Sequence, residues 1–145
     1  MSEKTNVEVA QNVDVVQQGY EAFGRGDIPA VLELLTDDVV WTEQGPSVIP
    51  FAGTFRGREG IAEFFTLLDE TLEFEQFEPR KFVGQGDTVV VVGYERSVVK
   101  QTGRRFEQEW AHVYTLRAGK IATGRFFENT AAQVEAFAAA RASSF

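Results

Sequence analysis

The only histidine of the chain, His112, lies in an aromatic stretch between Trp110 and Tyr114. If this stretch is a strand, alternation places five bulky side chains on one face: Phe106, Trp110, His112, Tyr114 and Leu116. Large rings that carry a few polar atoms suit the wall of a ligand cavity. Two interpretations stay open. His112 transfers a proton or hydrogen-bonds a ligand, or it is a core residue whose ring nitrogens are hydrogen-bonded within the protein.

A second candidate for acid–base chemistry is Glu43, which follows Trp41 by two positions. Alternation puts both side chains on the same face of an early strand. Beside apolar walls the pKa of a carboxyl group rises toward neutrality, which is the range that a general acid or base needs. We therefore predict that Glu43 faces His112 across one cavity. The alternative is a solvated carboxylate in a loop.

Composition argues against several other chemistries. The chain has no cysteine, so it has no disulfide, no cysteine nucleophile and no thiolate metal site. With a single histidine, a transition-metal site would depend on carboxylates alone, and we predict no metal. The sequence contains neither a GxGxxG stretch nor a P-loop, and we predict no cofactor.

The charge balance argues against two classes of partner. With 22 acidic and 14 basic residues the net charge is −8, which repels both nucleic acid and an anionic membrane surface. The N-terminus lacks the apolar core of a signal peptide, and no stretch approaches the ~18 apolar residues of a membrane span. We predict a cytoplasmic protein.

Length and periodicity predict one domain, residues 9–145, after a flexible tail at 1–8. A first helix is indicated by apolar residues at steps of four and three: Val9, Val13, Val16, Tyr20 and Phe23. Asp27 caps a short second helix, "IPAVLELL". After the strand "VVWTE" and a Gly/Pro-rich loop, a third helix places Phe64 and Phe65 on one face.

From Leu72 the apolar period changes from 3.6 to 2, which predicts antiparallel strands over residues 72–128. Pro79 indicates a bulge or a sheet edge, and hairpin turns are expected at Gly103 and at Ala118-Gly119. The last segment, "TAAQVEAFAAARA", is a helix. The fold class is therefore α+β. A cone-shaped, curved antiparallel (mixed) sheet wraps over three N-terminal helices, and a C-terminal helix follows.

Three segments resemble the SnoaL-like polyketide-cyclase and ketosteroid-isomerase-related family of the nuclear-transport-factor-two-like, cystatin-like superfamily. They are "VVQQGYEAFGRGDIPAVLELLTDDVVWTE", "FAGTFRGREGIAEFF" and "WAHVYTLRAGKIATGRFFENTAAQVEAF". Their order and spacing, rather than any single motif, carry the resemblance, which spans residues 10–140. It implies a cone with a cavity for hydrophobic small molecules, and dimers formed through the sheet.

The resemblance places the carboxylate base of the steroid isomerases at Glu43. Their two oxyanion donors correspond to Gly19 and Ala111, neither of which can donate from its side chain, so steroid isomerisation is not expected. Tyr20 is next to Gly19 but is turned about 100° away on the helix. The alignment would also turn Ala111 inward, whereas side-chain size favours His112.

His112 also matches a histidine that recurs in the cyclase-like branch of the family. The acid–base Asp of the cyclases corresponds to Asn129, which cannot exchange a proton. Strand alternation sends only one of Glu128 and Asn129 inward, and we expect Glu128 to face outward.

These observations predict a hydrophobic small-molecule partner and a site with His112 and Glu43 as catalytic residues. The expected substrate-binding residues are Trp41, Trp110, Tyr114, Tyr20, Phe64 and Asn129. The predicted function is a cofactor-independent isomerase, cyclase or lyase that moves a proton on a carbonyl compound. The alternatives are a binding domain without catalysis and a dimerisation module. A ligand site requires a cavity of about a few hundred Å³, whereas a purely structural member would fill that space with side chains.

We also predict a homodimer through the sheet. The run Val89–Val92 is apolar on both faces, while the helices of one domain cover only one.

Overall fold

The computed structural model describes residues 5–142 and confirms the α+β prediction. The helices are α1 (Asn6–Gly24), α2 (Ile28–Glu33), α3 (Gly57–Thr71) and α4 (Thr130–Ala142). The strands are β1 (Leu35–Glu43), β2 (Gly53–Arg56), β3 (Leu72–Gln85), β4 (Thr88–Val99), β5 (Arg105–Arg117) and β6 (Lys120–Phe127). None of the helices described here combines the length and the apolar character that crossing a membrane requires.

One six-stranded mixed sheet runs in the order β2-β1-β6-β5-β4-β3. β1 pairs in parallel with β6, and the other neighbours are antiparallel. The predicted antiparallel meander over residues 72–128 is therefore confirmed. The turn between β5 and β6 has positive φ at both Ala118 (52°) and Gly119 (79°), the conformation that matches the twist of a tight hairpin.

The strand that contains Pro79 lies at the sheet edge and is also bulged. β3 pairs only with β4, and its register shifts between Phe74 and Gln76 and again between Pro79 and Lys81. Proline lacks the amide hydrogen that an interior strand would need, so the edge tolerates it. Both features that Pro79 predicted are present.

The first helix begins earlier than its apolar periodicity predicted. Thr5 Oγ1 accepts a hydrogen bond from the backbone N–H of Glu8 at 3.1 Å, and Glu8 Oε1 accepts one from the backbone N–H of Thr5 at 3.2 Å. This reciprocal capping box starts α1 at Asn6, so the expected tail at 1–8 is too long. Residues 1–4 of that tail lie outside the described part of the chain.

The N-terminal part of the sheet is also larger than expected. β1 begins at Leu35, and the loop after it contains β2, which pairs with β1 from Val40↔Arg56 to Glu43↔Gly53. A four-residue edge strand in a Gly/Pro-rich segment has too few alternating positions to be recognised from the sequence.

Two tryptophans lie flat on the inner face of the sheet, each across from a glycine on the neighbouring strand. Trp110 pairs with Gly93, and Trp41 pairs with Gly124. A Cβ atom at Gly93 would come well inside van der Waals contact with both the Trp110 ring and the backbone oxygen of Glu78. At Gly124 it would approach the Trp41 ring to 2.7 Å. Each indole can therefore lie flat on the sheet only because the residue across from it is glycine, which has no side chain.

We predict that Gly93→Ala lowers the free energy of unfolding by about 1–3 kcal/mol, because the added methyl group overpacks the indole of Trp110. Gly24→Ala is the matched control, since a Cβ atom there meets nothing within 4 Å. It should be neutral or stabilising by up to about 1 kcal/mol. Urea unfolding of both variants measures the difference. Equal midpoints would contradict the packing argument.

The outer face of the sheet carries exposed apolar side chains. Val92 is 39% exposed and Phe127 is 41% exposed. Cross-strand pairing places both in one row with Ala111. Since no helix among residues 5–142 covers this row, the homodimer stays our prediction for this surface.

We expect the chain to elute as a dimer at micromolar concentration in size-exclusion chromatography with light scattering. The double variant Val92→Glu, Phe127→Glu should be monomeric, because it would bury like charges against each other. Val83→Glu, on the 48% exposed Val83 of edge strand β3, should remain dimeric. A monomeric wild-type chain would overturn the prediction.

Candidate functional site

A cavity of about 80 Å³ lies between the inner face of the sheet and the helices. Its wall is largely aromatic and includes Trp41, Phe64, Tyr114 and Phe126. The volume is well below the several hundred Å³ expected of a ligand site, because large rings project into the space from both layers. The cavity has room for a few water molecules or a small ligand fragment.

His112 lines this cavity, on the face that side-chain size predicted. The even-numbered residues of β5 from Phe106 to Leu116 are all buried, and His112 is 7% exposed. Ala111 lies on the opposite face, in a groove with Val92 and Phe127. β5 therefore runs through this region without a bulge that would invert its faces.

The His112 ring is hydrogen-bonded to helix α1. Its Nδ1 atom lies 2.6 Å from the hydroxyl of Tyr20, and the same hydroxyl lies 2.8 Å from that of Tyr114. Tyr20, predicted to be a binding residue, is turned about 100° from Gly19 on the helix, yet both residues line the cavity. The apolar stripe of a packed helix spans 100° or more, so neighbouring positions can share one face.

The Tyr20–His112–Tyr114 network carries one more proton than it uses. In their neutral forms the two hydroxyls and the ring hold three N–H or O–H protons. The network contains two hydrogen bonds, each of which uses one proton, and the described residues supply no other partner. Whichever tautomer the ring adopts, one donor remains for a ligand or a water molecule.

The three groups of this network are neutral around pH 7. Burial lowers the pKa of His112 to about 3, so the ring does not become a cation. Burial also raises the pKa of Tyr114, and burial together with Tyr114 raises that of Tyr20. The network can therefore hydrogen-bond a ligand, but His112 is not poised as a base near neutrality.

Glu43 lines the same cavity and is only 3% exposed. It shares a row across the sheet with Phe126 and His112, which places Glu43 and His112 two strands, or about 10 Å, apart. Among the residues that the structure describes, no donor group reaches Glu43 Oε2. Burial, followed by the charge and hydrogen bond of the Glu128 carboxyl, raises the pKa of Glu43 well above its usual range.

Two further carboxyl groups complete an acidic cluster with Glu43. Glu95 and Glu128 both line the cavity, so the expectation that Glu128 faces outward is wrong. Burial, followed by the charge of Glu128, raises the pKa of Glu95 to about 7. The hydroxyl of Ser97 donates to Glu95 Oε2 at 2.6 Å and partly opposes this rise. The cluster can therefore hold protons at neutral pH.

The side chain of Gln108 bridges the acidic cluster. Its Nε2 group donates to Glu95 Oε1 at 2.9 Å and to Glu128 Oε2 at 2.8 Å. Its Oε1 atom accepts from the backbone N–H of Asn129 at 2.7 Å. Because every polar atom of this buried amide is used, the orientation of Gln108 is defined, and it fixes the two carboxyl groups relative to the start of α4.

Two predicted binding residues lie outside the cavity lining. Asn129 Oδ1 accepts from the backbone N–H of Ala132 at 3.1 Å, so the exposed Asn129 caps α4. Trp110 is buried behind the wall, with its ring centroid 4.0 Å from that of His112. The other four, Trp41, Tyr114, Tyr20 and Phe64, line the cavity.

Three site residues were not predicted, although the periodicity contains a signal for each. Glu95 shares a strand face with Val89 and Val91, and Gln108 lies on the predicted inner face of β5. On α4, Gln133 is three and four positions before the buried Ala136 and Phe137. Each was missed because a polar residue on an apolar face is normally placed outside the core.

An outer groove of about 750 Å³ adjoins the cavity. The cavity and the groove share six apolar or aromatic residues, which we call the aromatic wall: Tyr20, Phe23, Phe65, Leu68, Phe74 and Phe77. Any ligand larger than the cavity must displace part of this wall. Within residues 5–142 no group of three His, Asp or Glu side chains is arranged to hold a metal ion.

Unpaired polar atoms line the cavity. Trp41 Nε1, Glu43 Oε2 and Gln133 Oε1 are buried without a hydrogen-bond partner among residues 5–142, and all three residues line the cavity. Each such atom costs about 1–3 kcal/mol if nothing pairs with it. The cavity thus presents one unpaired donor and two unpaired oxygens in a largely aromatic wall.

Comparison with known proteins agrees with this architecture. The SnoaL-like domain family matches residues 16–124 of the chain. No functionally curated protein matches the sequence. Among solved structures, an NTF2-like protein from Burkholderia xenovorans LB400 is 35% identical, with a TM-score of 0.82 over 89% of this chain and 97% of its own.

Two further structures are similar over their whole length. An NTF2-like protein from Burkholderia thailandensis E264 is 31% identical, with a TM-score of 0.79 over 86% of this chain and 95% of its own. TerC, co-crystallised with polyporic acid, is 28% identical, with a TM-score of 0.77 over 88% of this chain and 98% of its own. The chain belongs to the SnoaL-like family of NTF2-like proteins.

Proposed function

We propose that this protein is a cofactor-independent isomerase, cyclase or lyase that moves a proton on a hydrophobic carbonyl compound. The observation that carries the proposal is the pairing of two groups in one apolar cavity. Glu43 is a buried carboxyl group with an unpaired oxygen, and the Tyr20–His112–Tyr114 network has an unused donor. A base and an oxyanion donor in a dry site are the parts that enolisation needs.

Each group has a distinct role in such a reaction. Ionised Glu43 takes the proton from the carbon next to the carbonyl group, and the carbonyl oxygen becomes an enolate. The unused proton of the network hydrogen-bonds that oxygen and stabilises the charge. Glu43 then returns the proton to another atom. Because His112 is neutral, it contributes as a member of the hydrogen-bond network rather than as the base.

The raised pKa of Glu43 has two opposing effects on this chemistry. It makes the ionised carboxylate a stronger base, and it reduces the fraction that is ionised at neutral pH. Catalysis should therefore increase as the pH rises through the pKa of Glu43. TerC, which has been co-crystallised with polyporic acid, supports a small organic ligand in a relative with this fold.

The small cavity favours a second candidate function, a binding domain without catalysis. The volume of about 80 Å³ is below that of cavities which bind benzene without rearrangement, about 150 Å³. A carbonyl compound would reach Glu43 only if the aromatic wall moved. A ligand held in the outer groove alone would bind without being converted.

Deuterium exchange tests the proposal without knowledge of the substrate. In D₂O, we predict that the protein accelerates exchange of the methyl protons of acetophenone, measured by proton NMR. Glu43→Gln should reduce the accelerated rate by about 10²–10⁴-fold, because it removes the base. His112→Gln should reduce it less, since the ring acts only through hydrogen bonds. Circular dichroism shows whether each variant is folded.

Glu109→Gln is the matched control for this assay. Glu109 lies on the outer face of the same strand as His112, so its loss should leave the rate unchanged. Binding of acetophenone with no exchange above the rate in buffer alone would leave only the binding function.

The acidic cluster predicts a pH-dependent stability. The pKa of Glu95 is raised in the folded protein, so its protonated form favours folding below about pH 4.5, and this stabilisation is lost as the pH rises through about 7. The free energy of unfolding should therefore fall between about pH 5 and pH 8. Glu95→Gln should flatten this slope, while Glu109→Gln should retain it. Urea unfolding at several pH values measures both, and parallel slopes for the wild type and Glu95→Gln would contradict the assignment.

A further inference from the structure

The polar groups of the cavity lie in successive rows across the sheet. Trp41, Gly124 and Tyr114 occupy one row across β1, β6 and β5, and the indole of Trp41 lies over Gly124. Trp41 Nε1 and the Tyr114 hydroxyl are therefore the polar groups at this end of the cavity, and Trp41 Nε1 is a donor without a partner among residues 5–142. We call it the donor end.

The acceptor end of the cavity is formed by carboxyl and amide oxygens. Glu43 lies one row further along the sheet, beside Phe126, and Glu128 follows the end of β6. Glu95 and Gln108 pair across β4 and β5 beyond them. Of the residues described, none that lines the cavity is a lysine or an arginine. The carboxyl groups of this end are thus without a cation to balance an added negative charge.

Two oxygens at the cavity surface lack a hydrogen-bond partner among residues 5–142. Gln133 Oε1 belongs to a side chain that is 1% exposed, and Glu43 Oε2 belongs to one that is 3% exposed. Both residues line the cavity, from α4 and β1 respectively. Buried polar atoms are normally paired, so the Gln133 position fits a ligand that brings its own N–H or O–H group. A ligand with a carboxylate would instead add a second buried negative charge.

We propose that the cavity recognises carbonyl compounds that carry a hydroxyl or amino group remote from the carbonyl. The carbonyl oxygen lies at the donor end, and the hydroxyl or amino group donates to Gln133, so that Glu43 stays free to act on the carbon next to the carbonyl. This inference rests on the proposed function for the identity of the reacting group and deepens it by naming the substrate class. The recognition comes from the three unpaired polar atoms of the cavity, not from the size of the cavity.

Three acetophenones with different para substituents test this inference. They carry a hydroxyl, a methyl or a carboxylate group. The methyl group is close to the hydroxyl in size but cannot donate, and it is the more hydrophobic of the two. We expect para-hydroxyacetophenone to bind at least about tenfold more tightly than para-methylacetophenone, as measured by calorimetry. The carboxylate should bind more weakly than either.

A substitution of Gln133 tests whether the preference for the hydroxyl compound arises at the acceptor end. Gln133→Leu keeps the size of the side chain and removes its oxygen, so the preference for hydroxyl over methyl should decrease about tenfold toward equality. Gln101→Leu, in the exposed turn after β4, is the control and should keep the wild-type preference. The comparison of ligands on the wild-type protein needs no variant, so it holds even if Gln133→Leu does not fold.

Several results would overturn the inference: equal binding of the hydroxyl and methyl compounds, tightest binding of the carboxylate, or no binding of any of them. Deuterium exchange on the same compounds separates this inference from the proposed function. A preference for the hydroxyl compound without exchange would refute catalysis alone. Exchange without that preference would refute the substrate class alone.

Discussion

The hydrogen bond between Tyr20 and His112 joins helix α1 to the middle of the sheet, and the rest of the site depends on it. At 2.6 Å it brings the hydroxyl of Tyr20 within reach of Tyr114 as well. A histidine without a partner in this aromatic environment would be costly, and a charged one more so. Burial lowers the pKa of His112 and keeps the ring neutral, and the bond supplies the partner that a buried ring nitrogen needs.

The sequence was sufficient to predict the fold and to place His112 and Glu43 beside one cavity. The inner position of His112 followed from the size of the even-numbered side chains of β5, and the edge position of β3 followed from Pro79. Glu95 and Gln133 were not predicted, because their burial depends on partners and space supplied by distant strands and helices. The cavity volume could not be predicted either, since it depends on how rings from both layers pack.

The acidic cluster is a destabilising feature that the surrounding structure tolerates. Glu43, Glu95 and Glu128 would repel each other if all were ionised, and burial adds the cost of desolvation. Gln108 reduces this cost for two of them by donating to both carboxyl groups. Glu43 Oε2 has no hydrogen-bond partner within the described part of the chain, so a proton on this oxygen is available to a ligand. Such local cost is typical of residues that serve function rather than folding.

Access to this proton depends on the aromatic wall. Its rings contact each other edge to face, tilted or stacked, with centroids 5.6 Å apart for Phe23 and Phe65 and 5.4 Å for Phe23 and Phe77. Each such contact contributes only about 0.5–1.5 kcal/mol beyond its buried area, so a ligand in the outer groove could replace them with contacts of its own. Phe23 is in the last turn of α1, and Phe77 belongs to the bulged edge strand β3, which is paired on one side only. Glu43 and His112 lie on interior strands, and Tyr20 is hydrogen-bonded to His112. This arrangement allows the Phe23 and Phe77 side of the wall to move without displacing the groups that would act on the ligand.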